Sequence, residues 1–218
     1  MTDPAPTDAP KNPLKEIVQP FIDLVHAPRA LWGVNLAYVL EGTAYFGVLS
    51  YLAIYFSDDV FRGVPNPDVP AGLMVGVLTA GITLSMFFLG FVADKFGVRR
   101  ALIWAFFFLL GGRILIAGAG YTFEPAGLGS ALHLATMAGI ALIVIGYGMY
   151  QPAAYTAVKQ FTNPKTAGMA FAMLYALMNL GGWLPSFAFL LRDDDYLGLG
   201  IGGVFWVYAA LTLSLIHI

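Results

Sequence analysis

Cysteine is absent from the 218 residues, and histidine occurs only three times. The first absence excludes disulfide scaffolds, thiolate metal sites and cysteine nucleophiles. The second leaves no multi-histidine metal centre, because His26, His133 and His217 lie far apart along the chain and none has a partner set. Charge is scarce as well. Asp, Glu, Lys and Arg make up 11% of the chain, where a soluble domain carries about a quarter. Hydrophobic residues supply 59%, aromatic residues 15%, and mean hydropathy is +0.75. This is the composition of a multi-spanning membrane protein. The net charge of −2 says less than where the charges fall.

Residues 1–13 are rich in Pro, Asp and Thr and are expected to form a disordered cytoplasmic tail. They lack the basic region and apolar core of a cleavable signal peptide. Over residues 14–28, Leu14, Ile17, Val18, Phe21, Ile22 and Val25 trace a helical stripe, with Lys15, Glu16 and Asp23 off it and Pro20 interrupting it. This pattern reads either as an amphipathic segment on the inner membrane face or as a plain solvated tail.

A membrane-crossing helix needs about 20 mostly apolar residues. Six segments supply them or approach it: Ala30 to Phe56, Gly72 to Ala93, Ala101 to Gly120, Ala131 to Val158, Ala167 to Leu191, and Leu199 onward. Between them lie an Asp- and Pro-rich loop (Ser57 to Ala71), a basic turn, a short loop (Tyr121 to Ser130), a polar turn (Lys159 to Thr166) and an acidic loop (Arg192 to Gly198). Apolar runs of this length specify helices, because lipid leaves no partner for the unpaired backbone of an open sheet. The fold class is therefore an all-α, six-helix membrane bundle over residues 29–212.

Orientation follows from lysine and arginine. Lys11, Lys15, Arg29, Lys95, Arg99, Arg100, Lys159 and Lys165 fall on one side, and only Arg62 and Arg192 on the other. Eight against two puts the N-terminus in the cytoplasm, with the plasma (inner) membrane as the expected location. The final residues 213–218, Leu213-Ser214-Leu215-Ile216-His217-Ile218, read either as a translated sequencing adapter on a truncated gene, which is the expectation, or as a natural short C-terminus. On the first reading the sixth helix would keep only Leu199 to Thr212, about 21 Å at 1.5 Å per residue.

Charges within spans are costly and mark candidate functional sites. Glu41 in span one and Arg113 in span three fall at similar depth. If the two helices are neighbours, the pair either shares a proton during coupling or fixes helix packing as a static ion pair. Span four carries Gly146-Tyr147-Gly148-Met149-Tyr150-Gln151-Pro152, where Pro152 removes a backbone donor and is expected to kink the helix. Tyr147 and Gln151 either face a polar cavity there or fill space. Span five carries Tyr175, Asn179, Gly181, Gly182 and Pro185; Asn179 either seeks a polar partner or serves packing.

The densest basic cluster is Gly90-Phe-Val-Ala-Asp94-Lys95-Phe-Gly97-Val-Arg99-Arg100. Asp94 can cap or salt-bridge at a helix end, Gly97 permits a tight reversal, and the cations hold the turn on the cytoplasmic side. The run resembles the loop between helices two and three of major facilitator superfamily transporters, Gly-x-x-x-Asp-(Arg/Lys)-x-Gly-x-(Arg/Lys)-(Arg/Lys), at every specified position. Three further segments resemble the proton-coupled oligopeptide transporters within that superfamily: Glu41-x-x-x-Tyr45-Phe46-Gly47, Gly146-x-Gly148-x-x-Gln151-Pro152 and Tyr175-x-x-x-Asn179-x-Gly181. The departures are specific. That family's Arg after the helix-one Glu is Gly42 here, its earlier Glu falls on Tyr38, and its helix-four Lys falls on Gln151. Loss of those charges weakens the implication of di- and tripeptide transport.

The resemblance implies the N-terminal half of a two-bundle transporter that carries a small solute, with protons as coupling ion and no cofactor or metal. Glu41, Tyr45, Arg113, Tyr147, Gln151 and Asn179 would form the substrate and proton pathway, with the substrate bound near mid-membrane and lined by spans one, two, four and five. Gly90, Asp94, Lys95, Gly97, Arg99 and Arg100 would form a conformational latch. The partners implied are the lipid bilayer, a second six-helix half and a small-molecule substrate, and no nucleic acid. Two alternatives are a non-transporting receptor or assembly protein on the same bundle, and an intramembrane enzyme. The enzyme reading lacks a convergent nucleophile or metal set.

Overall fold

In hydrocarbon each backbone N–H and C=O must find its partner within the segment, so each apolar run closes its own hydrogen bonds as a helix. A computed structural model describes residues 18, 19, 22, 25–125 and 127–217. The tail, residues 1–13, and half of the amphipathic stripe, Leu14, Ile17 and Phe21, lie outside the described residues. Every regular element among the described residues is helical. Five helical segments are long and apolar enough to cross a membrane: Arg29–Val60, Asp68–Phe96, Val98–Thr122, Ala131–Phe161 and Ala167–Arg192. A sixth apolar helix, Gly200–Leu215, is shorter.

The elements outrun the expected boundaries where polar residues satisfy the helix ends. Span one continues past Phe56 as a single π turn, Tyr55–Val60, which buries Tyr55, Phe56 and Val60. The acidic residues expected in a loop are therefore helical. Arg62 closes this end, donating from Nε to the Asp58 carbonyl (2.9 Å) and from Nη2 to Asp59 (3.0 Å). Span two starts at Asp68, four residues before the expected Gly72, behind Pro67 at its N-cap. Span four begins where Ser130 accepts from the His133 backbone N–H (3.1 Å). It then runs as one helix through Pro152 to Phe161. Span five is broken instead: Pro185 sits in a 3₁₀ turn, Leu184–Phe187, between Ala167–Trp183 and the short Phe189–Arg192.

Packing sets the neighbour order two, four, three, six, one, five, with span one also touching two and four. Spans three and four lie closest, and glycine makes that approach possible. A Cβ on Gly112 would stand 2.5 Å from the Gly139 carbonyl oxygen, and one on Gly139 would stand 2.8 Å from that of Gly112. Small residues at a helix crossing let the backbones meet directly, which is how membrane helices gain van der Waals contact without a hydrophobic driving force. Spans two and five bury the least of their surface. The core instead lies among spans one, three, four and six, where Leu52, Leu109, Ile116, Tyr147 and Phe205 are almost fully enclosed.

Candidate functional site

Spans one and three, each packed against span six, bring Glu41 and Arg113 together at the centre of the bundle. Both are almost wholly buried, at 1% and 2% exposed. The guanidinium meets the carboxylate as a fork: Nη2 lies 2.5 Å from Oε1 and Nη1 lies 2.8 Å from Oε2. Arg113 Nη2 also donates to the Tyr147 hydroxyl (3.1 Å), and Nη1 donates to Thr212 Oγ1. Tyr147 in turn donates to Glu41 Oε1, and Thr212 donates to the Tyr208 carbonyl (2.9 Å). All four terminal N–H groups of the arginine are thereby used, on spans one, four and six. Its Nε has no partner among the described residues. Bidentate, charge-assisted bonds of this kind are the strong ones, and a pair removed from water needs such satisfaction to offset desolvation.

Beside this cluster lies a cavity of about 460 Å³ lined by Tyr45, Ile82, Met86, Tyr147, Gln151, Pro152 and Tyr155. Its size falls in the range of small-molecule sites. Spans one, two and four form the wall. Tyr147 is the lining residue that also bonds Glu41, so its hydroxyl connects the cavity to the ion pair. Tyr45 packs edge-on against it with ring centroids 4.9 Å apart. On the cavity's other side Tyr38 donates to Gln151 Oε1 (2.7 Å) while stacking on Tyr150 at 5.9 Å.

The structure thus joins five of the sequence-predicted residues: Glu41, Arg113 and Tyr147 in the cluster, Tyr45 and Gln151 at the cavity. Asn179 stands apart. It is exposed on span five and donates to the Tyr175 carbonyl one turn back (2.8 Å). The span-five face that meets span one carries Gly181, where a Cβ would stand 2.7 Å from the Val39 carbonyl oxygen. Asn179, two residues away, points about 200° round the helix at 3.6 residues per turn. No span-five residue lines the cavity, contrary to the expected wall. Sequence reasoning missed Thr212, which it treated only as a boundary, and Tyr38, which it treated only as a lost charge. The second had a signal: it stands one turn before Glu41 on the same helix.

The basic turn has the expected shape with one correction. Gly97 adopts φ +87° and ψ 149°, a conformation reserved for glycine, and caps span three. Gly90 meets span four, where a Cβ would stand 3.6 Å from Pro152 Cγ. Asp94, however, neither caps nor salt-bridges: it is exposed and forms no ion pair among the described residues. It lies within the short helix Phe91–Phe96, whose cap positions are held by Gly90 and Gly97. Lys95, Arg99 and Arg100 are exposed too, with Lys95 Nζ 5.2 Å from the Phe96 ring centre.

Known proteins bear on the reading at three levels. The chain is 27% identical over 183 residues to a protein described as "Probable nitrate/nitrite antiporter NarK1" of Thermus thermophilus, a match covering 78% of this chain and 40% of that protein. It is 25% identical over 191 residues to the peptide transporter YePEPT of Yersinia enterocolitica, covering 84% and 36% respectively. The chain therefore spans well under half the length of these relatives. Its fold superposes on the crystal structure of a peptide transporter POT in complex with sulfate, with TM-score 0.72 and 21% identity over 87% of this chain and 37% of that one. These relatives are transporters, not enzymes. Finally, the profile described as Major Facilitator Superfamily matches residues 1–184, and with the basic turn and the six-helix arrangement in place, the chain belongs to the major facilitator superfamily.

Proposed function

We propose that this chain is the N-terminal bundle of a proton-coupled secondary transporter for a small organic solute, in the plasma (inner) membrane with its N-terminus cytoplasmic. The observation that carries this reading is the link from cavity to carboxylate: Tyr147 lines the cavity and bonds Glu41, whose charge is held by Arg113. Protonation of Glu41 removes the charge that holds the guanidinium. Arg113 would then keep Tyr147 and Thr212 but lose its fork to span one. A proton on one carboxylate would in this way loosen span one from spans three and six while the cavity is occupied. The relatives' greater length supports a second six-helix half opposite the cavity, completing alternating access around it. Gly90, Asp94, Lys95, Gly97, Arg99 and Arg100 would latch the two halves on the cytoplasmic side. The charges of Asp94, Lys95, Arg99 and Arg100 are exposed and form no ion pair among the described residues, as a latch for another surface requires.

The test is the full-length protein carrying Glu41→Gln in proteoliposomes. Proton-gradient-driven uptake should fall at least tenfold, while solute exchange without a gradient persists. A second reading rests on the reach of Arg113 over three other spans: the pair is then a static tether. Retention of both driven uptake and exchange, with a lower unfolding temperature, would select that reading.

A further inference from the structure

The cavity wall holds aromatic and amide groups and no charged side chain. The charges closest at hand, Glu41 and Arg113, lie behind Tyr147, are buried, and neutralise each other. Tyr38 fixes one end of Gln151: its hydroxyl takes up the amide oxygen at 2.7 Å. That leaves the Gln151 Nε2 group, a donor of two N–H bonds with no acceptor among the described residues, in the cavity wall. The Tyr45 hydroxyl, on the same wall, also makes no hydrogen bond among the described residues. An anion on this wall would meet donors but no free cation among the described residues, and a buried charge without a partner is costly. A neutral carbonyl meets the same donors without that penalty. Ile82, Met86 and Pro152 supply an apolar surface for the body of the same ligand.

We propose that this wall selects uncharged, carbonyl-bearing organic solutes, with Gln151 Nε2 as the donor to the carbonyl and the Tyr38–Gln151 hydrogen bond as the device that orients it. The inference rests on the transporter reading above and narrows its substrate class. Gln151 is a specificity residue, and Tyr38 a positioning residue that acts through it.

The experiment uses the full-length protein in proteoliposomes and two probes of the same body, N-acetylphenylalanine amide and N-acetylphenylalanine, with nitrate as a third. Wild type should take up the neutral amide, saturably, with a KM at least tenfold below that of the carboxylate, and should be indifferent to nitrate. Gln151→Lys should reverse the preference. Tyr38→Phe should raise the KM for the amide severalfold with kcat little changed, since the donor persists but is no longer oriented. Preference for the carboxylate or for nitrate in wild type overturns the inference while leaving the carrier reading standing. So does an unchanged preference in a Gln151→Lys protein that still transports. No saturable uptake of any probe, from protein that is folded by circular dichroism and by size exclusion, removes the carrier reading and this inference with it. If the lysine variant does not fold, the wild-type probe ranking decides.

Discussion

Arg113 directs its terminal N–H groups to three other spans, and Glu41 receives two of those bonds and one from Tyr147. Such a cluster stabilises through completeness, because each member would be costly if left unpaired. Arg113→Met alone leaves a buried carboxylate charge with only the Tyr147 hydroxyl to hold it, and Glu41→Leu alone leaves a buried guanidinium charge without its counter-ion. Each single change should lower stability by about 3–5 kcal/mol, the cost of breaking a buried pair from one side. The double variant removes both charges and leaves only the Tyr147 hydroxyl without its partners, at about 1–3 kcal/mol, because Thr212 still donates to the Tyr208 carbonyl. It should therefore unfold at a higher denaturant concentration than either single variant, measured in detergent micelles. Equal or greater loss in the double variant would mean that the pair contributes little beyond its parts. Glu41 and Arg113 were legible as a pair of equal depth. Thr212 was not, because a threonine in an apolar run is ordinary and its partner lies 99 positions away.

Hydropathy placed the helices well but set their ends poorly. The π turn at Tyr55–Val60 and the early start at Asp68 both extend helix into segments whose Asp and Pro residues read as loop. Helix ends are decided by where orphan backbone groups find partners, and Arg62 supplies one such partner from outside the span. Glycine positions show the same division. Gly111 and Gly112 are adjacent and indistinguishable in sequence, yet a Cβ on Gly112 would collide with the Gly139 backbone, while one on Gly111 would stand an ordinary 3.6 Å from Leu142 Cδ1. Gly112→Ala should destabilise the protein by about 1–3 kcal/mol through forced separation of spans three and four. Gly111→Ala should be neutral or stabilise by up to about 1 kcal/mol through helix propensity. Thermal unfolding of the two variants side by side checks this, and similar losses at both sites would refute the close crossing.

At the scale of the whole molecule, the absence of cysteine makes the proposed orientation directly testable. Single cysteines at Asn163, between spans four and five, and at Asn66, between spans one and two, should label oppositely. In intact cells a membrane-impermeant maleimide should modify Asn66→Cys and spare Asn163→Cys until the membrane is opened. The reverse pattern would invert the bundle. The sequence by itself determined the fold class, the number of apolar segments, the asymmetry of the basic residues and the turn at Gly97. These follow from local composition, because a lipid interior demands a run of apolar residues whatever its neighbours are, and the backbone conformation at Gly97, φ +87° with ψ 149°, is open essentially to glycine alone. Only the tertiary structure decided that Glu41 meets Arg113, that Tyr38 and Gln151 join as a neutral pair, and that Asn179 faces elsewhere. Those outcomes depend on which spans are neighbours and how each is rotated about its axis, and a helix that is apolar on nearly every side carries little record of its own rotation.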